Sequence, residues 1–189
     1  PWPSQFRLAA SREADPVPTP TFPDTPLRIE RVEGTFTARE PAVYYSLRYR
    51  SPVHIARYRR SQWAAPPVRM IGESVRGWLA RSGRWPAVLA PGEPAPSGRV
   101  LALSLDVEEL LQVFPAPEES EAVLSVRAKL RGRDQGELAQ RRFTYRLAAP
   151  GADARGGAEA LSQGLERLCQ DLEEWVARET ERRPMGGGG

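Results

Sequence analysis

Asparagine is missing from this 189-residue chain, and cysteine, histidine and lysine occur once each, as Cys169, His54 and Lys129. A single cysteine excludes an intrachain disulfide and every multi-cysteine metal site. A single histidine excludes the two-histidine zinc and iron arrangements. The near-absence of lysine beside abundant Arg, Ala, Pro and Gly reads as genome composition bias rather than chemistry. No apolar run reaches the roughly 20 residues that a membrane-spanning helix needs. Catalytic signatures are missing too. There is no G-x-x-x-x-G-K-[ST] phosphate loop and no G-x-S-x-G elbow, and GESVRG at 72–77 has the wrong spacing for either. A Ser-His-acid triad would have to use His54, which the pattern places on a strand between Val53 and Ile55. The pairs Glu108-Glu109 and Glu118-Glu119 read as turn-flanking, where solvated charge is the default. No enzyme, cofactor or metal site is expected.

What is present suits one globular fold. Hydrophobic residues make up 40% and charged residues 27%, an ordinary balance for a packed domain. The length allows one core and is short for two. The 27 basic residues nearly cancel against 24 acidic ones, for a formal charge of +3, which argues against a dedicated nucleic-acid binder. Domain organisation is read as one unit over 1–182, including a proline-rich segment at 16–26, followed by a flexible glycine tail at 183–189.

Periodicity supplies the elements. Gln5–Ala9 is a short strand, and LRIERVEG from Leu27 alternates as a second. In AVYYSLRYR, Val43, Tyr45, Leu47 and Tyr49 fall on one face of a strand running to Arg50. Arg50-Ser51-Pro52 supplies a turn, and VHIARYRR returns, giving a hairpin. Val68, Ile71, Val75, Trp78 and Leu79 recur at helical spacing from Pro66 to Arg81, with Ser82-Gly83 as the stop. After a short strand in RWPAVLA, Val100–Val107 alternates and runs on toward Phe114. PAPEES breaks it, and Ala122–Leu130 and LAQRRFTYRLA complete a meander. Last comes a helix from Ala158 to about Glu179. Leu161, Leu165, Leu168, Leu172 and Trp175 or Val176 line its apolar stripe, with Glu166, Gln170, Glu173 and Arg178 opposite and Cys169 a buried, inert thiol. The class is α+β: a mixed, mainly antiparallel sheet packed against two main helices.

The stretch from Tyr44 to Arg60 holds four tyrosines and five arginines. Such interleaving could stack bases and track phosphates, making a single-stranded nucleic-acid-binding domain the alternative reading. Against it, Tyr45 and Tyr49 share the expected core face with Val43 and Leu47. Tyr44, Arg48, Tyr58, Arg59 and Trp63 form the candidate partner surface. Trp63 carries two readings, a structural cover for the first turn of the Pro66–Arg81 helix and an exposed aromatic anchor, of which the structural one leads.

The ordered set of segments resembles the ABC-type transport auxiliary lipoproteins, the PqiC-like (YmbA-like) family of Gram-negative envelopes. The resemblance runs from about Gln5 to Val176. It rests on QFRL, the proline-rich approach to LRIERV, RYRRSQWAAPP, LARSGRWPAVL, LSLDVEELLQVF, RRFTYR and the final helix ending in EEWV. Its most specific part is W-A-x-P-P at Trp63–Pro67 together with S-G-R-W-x-x-V at Ser82–Val88. The resemblance implies a non-enzymatic periplasmic subunit of an MCE-associated ABC system moving lipid or organic solvent. Its partners would be an MCE-domain protein and the outer membrane, reached through a lipidated N-terminal cysteine, with homo-oligomer formation compatible and nucleic acid not a partner. The precursor is then expected to carry a signal sequence and that cysteine close before Pro1.

Overall fold

The computed structural model describes residues 4–10, 12–13, 19–95, 100–132 and 136–182. The start of the expected proline-rich segment (16–18), the centre of the expected RGRDQGE turn (133–135) and the expected glycine tail (183–189) lie outside them. Eight strands and three helices follow one another as β1 (Ser4–Phe6), β2 (Leu27–Gly34), α1 (Phe36–Arg39), β3 (Ala42–Leu47), β4 (Ala56–Trp63), α2 (Pro67–Arg81), β5 (Val88–Leu89), β6 (Leu101–Ala116), β7 (Glu119–Arg131), β8 (Glu137–Ala148) and α3 (Ala154–Arg182). All eight strands join one open sheet.

The organising strand is β6. One of its edges pairs with β7 along nearly the whole length, antiparallel, and β7 pairs in turn with β8. The other edge is shared. Leu27–Gly34 of β2 runs parallel to Leu101–Val107, and Tyr45–Leu47 of β3 runs parallel to Gln112–Phe114. Two strands therefore lie end to end on one edge of a third, with the single turn α1 between them. β4 adds to β3 antiparallel, β1 to β4 parallel, and β5 touches only the first two residues of β2. The class is the expected α+β, with the long pairings antiparallel.

Both long helices cover the same face. α2 lies over β2, α3 lies over β7 and β8, and the two helices touch each other. The alternation that places Leu103, Leu105 and Val107 on one side of β6 places Leu124, Val126, Ala128 and Leu130 of β7 and Phe143 and Leu147 of β8 beside them. All are buried under Ile71, Val75 and Leu79 of α2 and Leu161, Leu165, Leu168 and Leu172 of α3. α2 starts at a proline in its first turn, where a missing amide costs nothing. It ends where the Ser82 hydroxyl donates to the Leu79 carbonyl at 2.7 Å and Gly83 takes φ 67°, a left-handed value that suits glycine. Met70 rather than Val68 completes its buried stripe.

Several expectations are corrected. β3 ends at Leu47, so Tyr49 sits in a turn at 44% exposure instead of in the core. β4 starts only at Ala56, which leaves Val53 (87% exposed), His54 and Ile55 in the connecting loop. Ser46, on the Tyr44 side of β3 as expected and level with Val113, is nonetheless buried, at 3% exposure. Glu108 and Glu109 stand in mid-strand at a register shift, not beside a turn. The last helix is longer than expected at both ends, and Glu173 is buried in it.

Cys169 meets the expectation of an inert thiol. It is fully buried, and desolvation, chiefly, pushes its pKa up to about 12. A disulfide-exchange reagent at pH 8 should leave it unmodified in the native protein and titrate one thiol per chain in 6 M guanidinium. Stoichiometric labelling without denaturant would mean that α3 does not pack as described.

Candidate interaction surface

The β3–β4 hairpin brings the sequence-derived candidates to one end of the sheet but deals them onto different sides. Tyr44 is half-buried. Its hydroxyl donates to the Glu40 carboxylate at 2.6 Å and its ring meets Phe36 edge-on at 5.2 Å. The Glu40 hydrogen bond, then burial, raises its pKa. Tyr44 also packs over Leu111, Val113 and Val123, a small apolar cluster apart from the main core on the helix-free face.

Tyr58 belongs to the other side. Its ring tilts against Tyr45 at 4.6 Å and its hydroxyl donates to Gln112 Oε1 at 2.9 Å. Gln112 is fully buried and gives both hydrogens of its amide away, to Ser120 Oγ at 2.8 Å and the Asp153 carbonyl at 3.0 Å. This chain of bonds ties the hairpin to β7 and to the start of α3. Gly157 makes room for it, since a β-carbon there would stand 2.3 Å from Gln112 Oε1. Burial is the main reason the Tyr58 pKa rises. A buried, fully satisfied network of this kind fixes geometry.

Trp63 is 1% exposed, packed edge-on against Phe6 at 6.4 Å. An exposed anchor at Trp63 is therefore corrected: a partner cannot reach the ring, and its place is in the core beside α2. Arg48 and Arg59 are exposed, Arg48 in the turn after β3 and Arg59 on β4. Arg57 and Arg59 border a surface depression of about 700 Å³ with Glu40, Ala42 and Gln62.

Sequence reasoning missed the tip of the hairpin. Phe36, Tyr49, Val53 and Ile55 are the large hydrophobic residues that stand exposed among the described residues. Tyr49, Val53 and Ile55 fall in the loop after β3, interspersed with exposed Arg48, Arg50 and His54, whereas Phe36 lies in α1, ahead of the other end of β3. Val53 and Ile55 alternate with His54 and so imitate a strand. The available signal was Ser51-Pro52, which lengthens the turn. Tyrosines suited to base stacking are scarce here, because Tyr44, Tyr45 and Tyr58 are each held by neighbouring rings or hydroxyl partners.

The helix-free face of β6–β8 is charged and internally paired. Glu108 accepts from Arg127 and, at 2.5 Å, from Arg142 Nε, and these contacts, that of Arg142 foremost, hold its carboxyl below the usual range. Arg146 pairs with Glu121 at 2.6 Å and Arg131 with Glu30. Neutralised surface pairs of this sort contribute little each. Among the described residues no group of three or more His, Cys, Asp and Glu converges as a metal site would require. Among them too, no helix is long and apolar enough to cross a membrane.

The fold has solved relatives. The crystal structure of protein XCC0632 from Xanthomonas campestris, of the family DUF330, is similar at 20% identity, covering 95% of this chain and 97% of that one, with a TM-score of 0.79. A second crystal structure, of an uncharacterized protein, is similar at 16% identity over 93% and 99% of the two chains, with a TM-score of 0.70. No curated protein matches the sequence. The family model for the ABC-type transport auxiliary lipoprotein component matches residues 9–173, from just after β1 to the Glu173 turn of α3, and this chain belongs to that family.

Proposed function

We propose that the protein is a non-enzymatic periplasmic subunit of an ABC-linked lipid or organic-solvent transport system, its residues 1–182 acting as one unit. A lipidated cysteine upstream of Pro1 tethers it to the outer membrane, and it docks there onto an MCE-domain protein. Family membership supports the transport role. The observation that carries the docking role is the run of exposed Tyr49, Val53 and Ile55 in the loop between β3 and β4, with exposed Arg48 and Arg50 beside them in sequence. Aromatic and arginine side chains dominate the energetics of protein interfaces, and clustered exposed apolar groups mark contact sites. Tyr44, packed on Phe36, and Tyr58, bonded to Gln112, hold in place the two strands that carry this loop.

The test pairs this protein with an MCE-domain protein from the same organism, measured by biolayer interferometry. Replacing Tyr49, Val53 and Ile55 together by serine should weaken binding by about tenfold or more, the scale of a single hot-spot loss. The melting temperature should hold, because these side chains contribute no core contact. Binding unaffected by the triple variant moves the interface elsewhere. A precursor lacking a signal sequence and cysteine upstream of Pro1 overturns the envelope assignment altogether.

A further inference from the structure

A second surface, on the far side of the sheet from β4, is built for a different kind of contact. β5 pairs with β2 only at Leu27 and Arg28, and Pro91, two residues past the end of β5, has no amide to continue a ladder. From Ile29 onward the outer edge of β2 has no strand partner among the described residues, although its inner edge stays paired with β6 as far as Gly34. Beside this open edge runs a groove of about 450 Å³, within the ~300–1,000 Å³ typical of ligand sites. Ile29 and Val32 of β2, Val68 and Gly72 of α2, and Ala90 and Pro91 line it.

Its shape depends on two local features. The register shift between Ile29 and Arg31 lets Val32, as well as Ile29, turn toward α2, while Glu30, Arg31 and Glu33 are left to solvent and to their own ion pairs. Gly72 brings α2 close and keeps the groove open, since even a β-carbon there would lie 3.2 Å from Val32 Cγ2. The helix rim is basic. Arg69 is paired with Glu73 at 2.9 Å, whereas Arg76, exposed, has no ion-pair partner among the described residues.

We propose that this groove receives an extended polypeptide segment, which adds to the free edge of β2 as a strand, buries alternate apolar side chains between β2 and α2, and presents a carboxylate to Arg76. An unpaired strand edge exposes amide and carbonyl groups that only another backbone completes, so one wall suits a peptide better than an acyl chain. The other wall is apolar, and the free guanidinium on its rim complements an acidic side chain or a C-terminus. The bulge confines the new ladder to the residues after Glu30, so the segment is short. The surface is separate from the hairpin tip, and the proposal stands whichever partner docks there.

A random eight-residue peptide library with free C-termini, selected on the purified full chain, tests it. Enriched peptides should alternate apolar residues and carry an acid, and saturating peptide should slow amide exchange within Arg31–Glu33. Arg76→Glu should weaken binding by about tenfold or more, the loss of one charge-assisted hydrogen bond. Gly72→Leu, which fills the groove, should abolish binding. Arg76 is exposed, so its variant folds even if the glycine variant does not. No enrichment, binding indifferent to Arg76→Glu, or protection appearing elsewhere would each overturn the proposal. So would oleate occupying the groove and displacing peptide with no change in β2 exchange.

Discussion

Leu168→Ala should lower the unfolding free energy by about 3–5 kcal/mol, the upper part of the range for buried leucine truncation. Leu168 is fully buried in the stripe of α3 that covers β7 and β8. The cost of such a cavity depends on whether the surroundings can collapse into it, and here α3 is pinned on both sides. One turn before, at Gly164, the helix backbone comes so near the sheet that a β-carbon would lie 3.4 Å from Leu147 Cδ1 and 3.7 Å from Leu124 Cβ. One turn after, Glu173 is bonded to α2 and to the loop that follows it. A helix anchored at both points cannot slide to fill the void. For a chain of this size the melting temperature should fall by roughly 6–20 °C. Leu168→Met, which keeps the volume, should cost under about 1.5 kcal/mol. Urea melts with unchanged slope provide the measurement. A loss below about 0.5 kcal/mol for the alanine variant would mean that α3 presents a different face to the sheet.

Glu173→Ala should cost about 3 kcal/mol. Glu173 is 7% exposed, and its carboxylate accepts from Trp78 Nε1 at 2.9 Å, Arg12 Nη1 at 2.6 Å and Arg84 Nε at 2.8 Å. Three separate parts of the chain thus meet at one acid: the N-terminal strap, α2 with its following loop, and α3. Removing one member of a buried ion pair costs about 3–5 kcal/mol, because its partner keeps the desolvation penalty without the compensation. The lower end applies here. Arg12 and Arg84 remain 25% and 38% exposed, so water takes over part of their solvation, while the indole N–H of Trp78 loses its partner in the interior. Glu173→Gln keeps an acceptor for Trp78 and should cost roughly half as much. Arg84→Ala alone should cost under about 1 kcal/mol. A double-mutant cycle between Glu173 and Trp78 should give a coupling of about 1–2 kcal/mol. Coupling near zero would show that the indole bond does not matter to stability.

The two helices, the three long strands β6–β8 and the interior position of Leu161, Leu165, Leu168, Leu172 and Trp78 were legible in the sequence, because a period of 3.6 or 2 sustained over many residues is a local property that needs no partner to be read. The family was legible for a related reason: its segments keep their order along the chain. Tertiary structure decided the rest. Whether Val32 faces inward depends on a bulge, where one inserted residue reverses every side chain beyond it. Glu173 looks like any solvated acid of a helix surface until α2 and the strap bring three donors to it. Val53, His54 and Ile55 alternate as a strand does, yet stand in a loop because no neighbouring strand pairs with them. The two candidate surfaces, an apolar hairpin tip and a groove along an unpaired edge, are both defined by which backbone lacks a neighbour. That is a property of the assembled sheet, and no stretch of sequence carries it alone.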